Sequence, residues 1–462
     1  MAIQDGKHGS KPRSDDFLLG DDPSRASSVI FAVLIALPAL SAVLFGGVDP
    51  VTWALIWMLI AIMSIAWFAD AWIGRGFLID RNWILVPLFG LVLIGFLQLL
   101  PLFAPAVSTE LVSEPARSSI SLDPYSTRLF LVRLAAYFFY LAAVMTFLNS
   151  KGRLRKIVVF IVLIGALMAF FGIIQRLANV DAIYGMRTGF QAVAFGPFVN
   201  QHHFAAFMEM TGGVTFALLF AGWVPRDRRL LLAIAALLMG IAVVMTSSRG
   251  GLIGFVGALA FVLVANSFGA QSQTAASPGP SLSRRLIVLA CGGAASFVVI
   301  FAIVSYLGAE TSFFRAAGFS GTDDISDGRF HFWPIALRIF MDHPIFGAGM
   351  DAFGVAFTRY DTLPGIFRVE QAHNDYLQTL ADAGLAGFAC VAAYIYFLFR
   401  SGFRTIRSAG KFRRSAAVGA LAGCFGILVH SFFDFPLRTP SNAFFFLLLS
   451  GVAIVSIRSK RS

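Results

Sequence analysis

Cysteine and charge are both scarce in this chain of 462 residues. The three cysteines, Cys291, Cys390 and Cys424, each sit inside an apolar run, and no CxxC pair occurs. Nothing in that pattern points to a disulfide framework or a thiolate metal site. Only 13% of the residues are charged, too few to solvate the surface of an ordinary soluble protein of this length. The first 27 residues are polar and mixed in charge. They lack the charged start, short apolar core and small-residue cleavage site of a signal peptide. They read as a disordered cytoplasmic tail.

What is present is apolar. Hydrophobic residues make up 58% of the chain and 49 residues are Phe, which makes the bilayer the expected solvent. The net charge of +11 has a simple explanation in that setting. Lys and Arg hold loops on the cytoplasmic side, so no nucleic-acid partner is expected. Crossing roughly 30 Å of hydrocarbon takes about 20 apolar residues. Twelve runs approach that length, near 28–46, 51–69, 83–102, 127–149, 155–174, 202–223, 229–246, 250–267, 285–307, 384–400, 415–431 and 441–457. The tenth is short, but its helix could begin back near His373.

With the N-terminus inside, 24 of the 36 Lys and Arg fall on inner segments. The fold class expected is therefore all-α: a polytopic membrane protein of about twelve transmembrane helices, both termini cytoplasmic, with a large outer loop holding short helices. Its parts are a tail (1–27), nine helices (28–307), the outer loop (308–383), and three further helices with a short tail (384–462). "QSQTAASPGPS" (271–281) reads as a flexible inner linker. In the outer loop, Trp333, Ile335, Ala336, Ile339 and Phe340 recur at helical spacing. They predict an amphipathic helix that lies on the membrane surface or caps a cavity.

The polar motifs crowd the outer ends of these runs. Six of the seven histidines (His202, His203, His331, His343, His373, His430) fall there, and His331 and His343 read best as structural residues. "VNQHHF" and "VEQAHN" share the frame Val-x-Gln-x-His, ending on His203 and His373. Each sets a histidine and an asparagine, Asn200 or Asn374, beside a helix N-terminus, where free N–H groups and the helix dipole favour an anion. Arg249 in "SSRGG" stands in a tight turn followed by Gly250 and Gly251, a setting for close approach to a phosphate. "HSFFDFPLRTPSN" gathers His430, Asp434, Arg438 and Asn442 between the last two helices. "GTDDISDG" (321–328) carries Asp-Asp-x-x-Asp, better read as an exposed acidic loop than as a metal site. No metal or other cofactor is expected.

Taken in order, "SLDPYSTR", "FGPFVNQHHFAAFMEM", "SSRGG", "HPIFGAGMDAF", "HNDYLQTLADAGLAGF" and "HSFFDFPLRTPSNA" resemble the O-antigen ligase and polymerase superfamily, over about 120–457. The resemblance implies a bacterial inner-membrane glycosyltransferase facing the periplasm. Such an enzyme takes a glycan from a polyprenyl diphosphate carrier and passes it to lipid A–core sugar or to another glycan. It also implies that Arg249 holds diphosphate, helped by Arg187 or Arg329, and that His373 activates the acceptor. Where the family often has Asn or Arg, this chain has Gln201 and His202, which leaves His203 at the usual position. A lipid-linked glycan flippase is the alternative of another class. Transporters put polar groups at mid-membrane, and Gln98 is one of few such residues here.

Overall fold

A computed structural model describes residues 24–74, 76–102, 119–180, 182–188, 193–270, 329–362 and 369–456. The ninth apolar run, the 271–281 linker, the acidic 321–328 stretch and most of both tails lie outside the described residues. The helices are α1 Arg25–Val43, α2 Pro50–Ile73, α3 Leu85–Gln98, α4 Pro124–Phe147, α5 Lys151–Leu177, α6 Gln201–Leu219, α7 Arg226–Met245 and α8 Arg249–Ala270. After α9 Arg329–Asp342 and α10 Phe353–Phe357, both within 308–383, come α11 Asp375–Ser408, α12 Lys411–His430 and α13 Pro440–Ile454. One small hairpin, Ala182–Ile183 with Arg187–Thr188, joins α5 to α6.

The helix starts follow from local chemistry. The side chains of Ser24, Asp123, Ser150, Asn200 and Asn374 each accept a backbone N–H of the first turn they precede. Such caps satisfy donors that the helix itself cannot. Pro50, Pro124 and Pro440 take the first helical position, where a missing N–H costs nothing.

All-α architecture is borne out, but the expected number of spans is not. Eight described helices are long and apolar enough to cross a membrane. Two of the twelve expected, α3 and α13, have only 14 and 15 residues. α3 ends at Gln98, whose side chain is bonded to Asp382 O of α11 and to Met350 N–H between α9 and α10. α13 is buried along its whole length, so protein rather than lipid surrounds it. α6 carries Gln, two His, Glu, two Thr and two Gly among its 19 residues, and lies in the core.

α6 is the centre of the bundle, packed on α7, α8 and α12. Small residues permit that: Gly213 on α6 meets the backbone of Gly423 on α12, and Gly254 on α8 meets both Gly426 of α12 and the Glu209 side chain of α6. Without water between helices to exclude, such close van der Waals contact is what holds membrane helices together.

The amphipathic helix expected in the outer loop is α9. Its Ile335, Ala336 and Ile339 are buried in a second apolar cluster with Phe353, Phe357, Ala372 and Ala381. α9 therefore caps the end of α11 rather than resting face-down on lipid. α11 contains a break: Gly384 sits at φ +64, a conformation costly for any side chain, and a Cβ there would stand 2.5 Å from the Ile345 carbonyl. The break separates a first segment tied to the outer loop from the long span that follows. The N–H groups of Leu385 and Ala386, freed by the kink, donate to Pro344 O (2.8 Å) and Ile345 O (3.1 Å).

Candidate functional site

The loop between α12 and α13, residues 431–439, folds back against the start of α11. Asp375 N–H donates to Ser431 O at 2.9 Å, and the Ser431 hydroxyl returns a bond to Asp375 Oδ2 at 2.9 Å. Asn374 Nδ2 donates to Phe432 O at 3.0 Å, while its Oδ1 accepts from Tyr376 and Leu377. These bonds fix His373 against Asp434.

His373 Nδ1 and Asp434 Oδ1 are 3.2 Å apart. The histidine side chain is 35% exposed and the carboxylate 2%. The imidazole stacks on Phe332 (centroids 5.9 Å) and meets Phe435 edge to face (4.9 Å). His373 itself sits at φ +51, outside the usual range for a residue with a side chain. Burial alone would raise the Asp434 carboxyl. The His373 hydrogen bond and the nearby His202, His373 and His203 outweigh burial and hold it well below the usual carboxylate range. An ionised Asp434 accepts from His373 Nδ1–H. The Nε2 lone pair of this partly exposed ring is then left as the nitrogen that can take a proton.

Around this pair the other predicted residues fall in three groups. His203 is buried beside it: its Nδ1 is 2.6 Å from the Thr439 hydroxyl, its carbonyl accepts from Asn442 Nδ2 at 3.0 Å, and its Nε2 has no protein partner. Asn200 caps α6 by accepting the His202 N–H at 2.8 Å. His202, given no role by sequence, lies within electrostatic reach of Asp434, His430, Arg329 and His373.

Arg329, Arg249 and His430 form the second group. Arg329 Nε donates to Phe433 O at 2.9 Å, one residue from Asp434. Arg249 opens α8, whose first turn is held by Ser248: Gly251 N–H donates to Ser248 Oγ at 3.1 Å. The flanking glycines were expected to admit a phosphate. They are occupied instead: a Cβ on Gly250 would stand 2.6 Å from the His430 ring, and one on Gly251 2.5 Å from Ala205. Their role is to bring α8 against α6 and α12. His430 is itself buried, with Nδ1 2.7 Å from Glu209 Oε1, rather than lining the open side of the site.

The third group is separate. Arg187 in the hairpin is paired with Asp49 and lies over the Phe45 ring at 5.4 Å. It is not brought to His373. His331 is paired with Asp361 at 2.8 Å, a structural use as expected.

Glu209 escaped the sequence reading, and Arg438 and Gln98 were named there without their partners. Glu209 is a fully buried carboxylate in an otherwise apolar stretch of α6, and that oddity in "AAFMEM" was its signal. Arg438 bridges Asp351 Oδ1 (2.6 Å) and Asp382, and covers the Phe130 ring at 5.1 Å. Burial would lower its guanidinium, but Asp382, Asp351 and Asp375 together raise it. Arg438 thereby ties the 431–439 loop to α11 and to the outer loop. Gln98 is not an isolated mid-membrane group: its Nε2 donates to Asp382 O (2.8 Å) and its Oε1 accepts from Met350 N–H (2.9 Å).

Residues 234–392 match the family model described as O-antigen ligase. That stretch runs from α7 to the middle of α11 and carries Arg249, Arg329 and His373. The class defined by the fold is thus a multi-pass membrane protein, about a third of which is similar to the O-antigen ligase family. The superfamily expected from the sequence motifs is borne out. No curated protein matches the chain.

Proposed function

We propose that this chain is a periplasm-facing glycosyltransferase of the bacterial inner membrane. It moves a glycan from a polyprenyl diphosphate carrier to a sugar hydroxyl of lipid A–core, as an O-antigen ligase does. The observation that carries the reading is the buried Asp434 carboxylate holding His373 by Nδ1 at the mouth of α11. A buried carboxylate paired with a partly exposed imidazole is an arrangement for removing a proton.

In the reaction, His373 Nε2 takes the proton of the acceptor hydroxyl. The freed oxygen bonds to the anomeric carbon. The bond from that carbon to the carrier's phosphate oxygen breaks, and its electron pair leaves on the diphosphate. Arg249 and Arg329 flank Phe433, one through the Gly250 contact and the other through the Phe433 carbonyl, and meet the growing negative charge. His203, Asn200, Asn374 and His430 hold the elements behind the pair in place. Arg187 is left to anchor the hairpin.

The test is glycan transfer by purified protein in detergent, supplied with a polyprenyl diphosphate-linked glycan and a core-oligosaccharide lipid. Detergent removes the second compartment that a flippase needs, so transfer there supports an enzyme and its absence supports transport. His373→Asn keeps hydrogen bonding but not the base, and is expected to slow transfer by roughly 10²–10⁴-fold while still accumulating in the membrane. Nearly full activity of that variant overturns the role. If the protein extends carrier-linked glycan but leaves lipid A–core untouched, the chemistry stands and the chain is a polymerase.

A further inference from the structure

A cavity of about 1260 Å³ lies at the end of the bundle remote from His373. Its lining comes from the starts of α5, α7 and α12 and the end of α11. The His373 site uses the opposite ends of α11 and α12. Since α12 has 20 residues, the two places are separated by roughly 30 Å along its axis.

The cavity has two unlike parts. Its wall is apolar and open at the side of the bundle, where Val159 and Leu163 of α5 and Leu231 and Ile234 of α7 are exposed. Its rim is cationic. Lys151 and Arg155, four apart on α5 and so on one face, stand with Arg228 and Lys411. All four are exposed, and none of the described residues lining the cavity is acidic. Arg413, also at the rim, is committed elsewhere: its guanidinium donates to Val452 O (2.6 Å), Ala453 O (3.1 Å) and Val455 O (2.8 Å), closing the end of α13.

From this pairing we propose that the cavity is a binding site for an anionic glycerophospholipid. The acyl chains lie along α5 and α7, and the phosphate sits among Lys151, Arg155, Arg228 and Lys411. A free phosphate has no use for the apolar wall, and a zwitterionic lipid gains little from four unopposed cations. Only a molecule with both parts fits both. Positive charges at a membrane surface attract anionic headgroups, and a basic pocket between helices converts that attraction into a site. The lipid bridges α5, α7 and α12, three helices that surround α6. It is a structural ligand of the bundle and takes no part in glycan transfer.

The experiment is native mass spectrometry of the full chain in detergent with equal amounts of dioleoyl phosphatidylglycerol and dioleoyl phosphatidylcholine. One phosphatidylglycerol per chain is expected, held at least about fivefold over phosphatidylcholine. The exposed-charge variant Arg155→Gln/Arg228→Gln/Lys411→Gln should weaken retention by about fivefold for each cation removed. Ala166→Trp, which fills the apolar wall and leaves the rim intact, should also release the lipid. Equal retention of both lipids by the unmodified protein overturns the proposal. So does unchanged phosphatidylglycerol retention by the triple variant, or displacement of the lipid by inorganic phosphate alone. Retention that emerges only after deletion of residues 1–23, whose "SDDFLLGDD" stretch is acidic and apolar, overturns it in favour of the chain's own tail.

Discussion

The imidazoles of His203 and His373 both pack edge to face on the ring of Phe435, each with its centroid 4.9 Å away. The two residues end the only shared frame noted in the sequence, Val-x-Gln-x-His, and the fold brings both frames to one aromatic side chain. Phe435 is one residue beyond Asp434, so the ring and the carboxylate fix His373 from two directions.

Phe435 is therefore a positioning residue for His373. Phe435→Leu keeps an apolar side chain but gives up the flat edge-to-face contact. Misplacement of a reacting group by about 1 Å can cost on the order of 10²-fold, so kcat is expected to fall by about that much with little change in donor KM. A larger phenylalanine-like ring, Phe435→Tyr, should restore most of the rate. A merely structural role would lower the amount of folded protein and leave kcat per folded molecule unchanged.

Asp434 makes a prediction in acid. Its carboxyl is held below the usual range in the folded chain, so the folded state favours the charged form. That stabilisation is fully present above the unfolded carboxylate value of about 3.9 and is lost as pH falls through the lower folded value. Thermal unfolding of the unmodified protein should show stability declining below about pH 4. Asp434→Asn should be less stable at neutral pH and should lack that part of the decline. It should also transfer glycan at least roughly 10²-fold more slowly, because a neutral amide no longer selects the Nδ1–H tautomer. Parallel acid profiles for the two proteins would show that Asp434 carries no such charge.

Much of this fold could be read from the chain before any coordinates. Eleven of the twelve apolar runs contain a described helix, and the caps at Asn200 and Asn374 stand where the polar-to-apolar transitions predicted helix starts. The helix of the tenth run, α11, does begin close to His373. The number of spans is not fixed by the described residues, because hydropathy and burial part company. α13 is apolar because protein covers it, and α6 is core despite its polar residues. Partners at long range were not legible at all. Glu209 and His430 are 221 positions apart, and periodicity tells which face is buried but not what lies against it. The same limit misassigned Gly250 and Gly251, whose sequence permits close approach without saying by what. The His373–Asp434 pair was half visible: each residue stood out, but their contact did not.

Arg249 is proposed to meet diphosphate, and geometry separates that use from simple charge. Guanidinium forks onto two phosphate oxygens, whereas ammonium offers one compact charge. Arg249→Lys is expected to lose at least about tenfold in kcat/KM for the carrier-linked donor, with membrane insertion intact. A Lys variant near full activity would show that any cation suffices there, as at a headgroup contact.

The Glu209–His430 pair yields the sharpest stability test, because both side chains are buried, at 0% and 1% exposure, and 2.7 Å apart. Two readings compete. In one, the pair is an anchor between α6 and α12, and its loss is felt by the α8 turn that carries Arg249, since Gly250 rests on the His430 ring. In the other, it is a replaceable polar plug in an apolar seam. Removing one member of a buried pair strands the other and typically costs about 3–5 kcal/mol. Replacing both with apolar groups of similar volume is often nearly neutral for stability. Glu209→Leu and His430→Leu should each lower thermal stability by that order, while Glu209→Leu/His430→Leu should recover most of it. The non-additivity is the signature, because residues in direct contact do not behave independently. Activity then divides the readings. If the pair aims the start of α8, the stable double variant still shows a raised KM for the carrier-linked donor, since Arg249 is no longer held. If the pair only fills space, the double variant transfers glycan at the rate of the unmodified chain. Single variants whose losses simply add in the double would mean that the two side chains do not act as a pair.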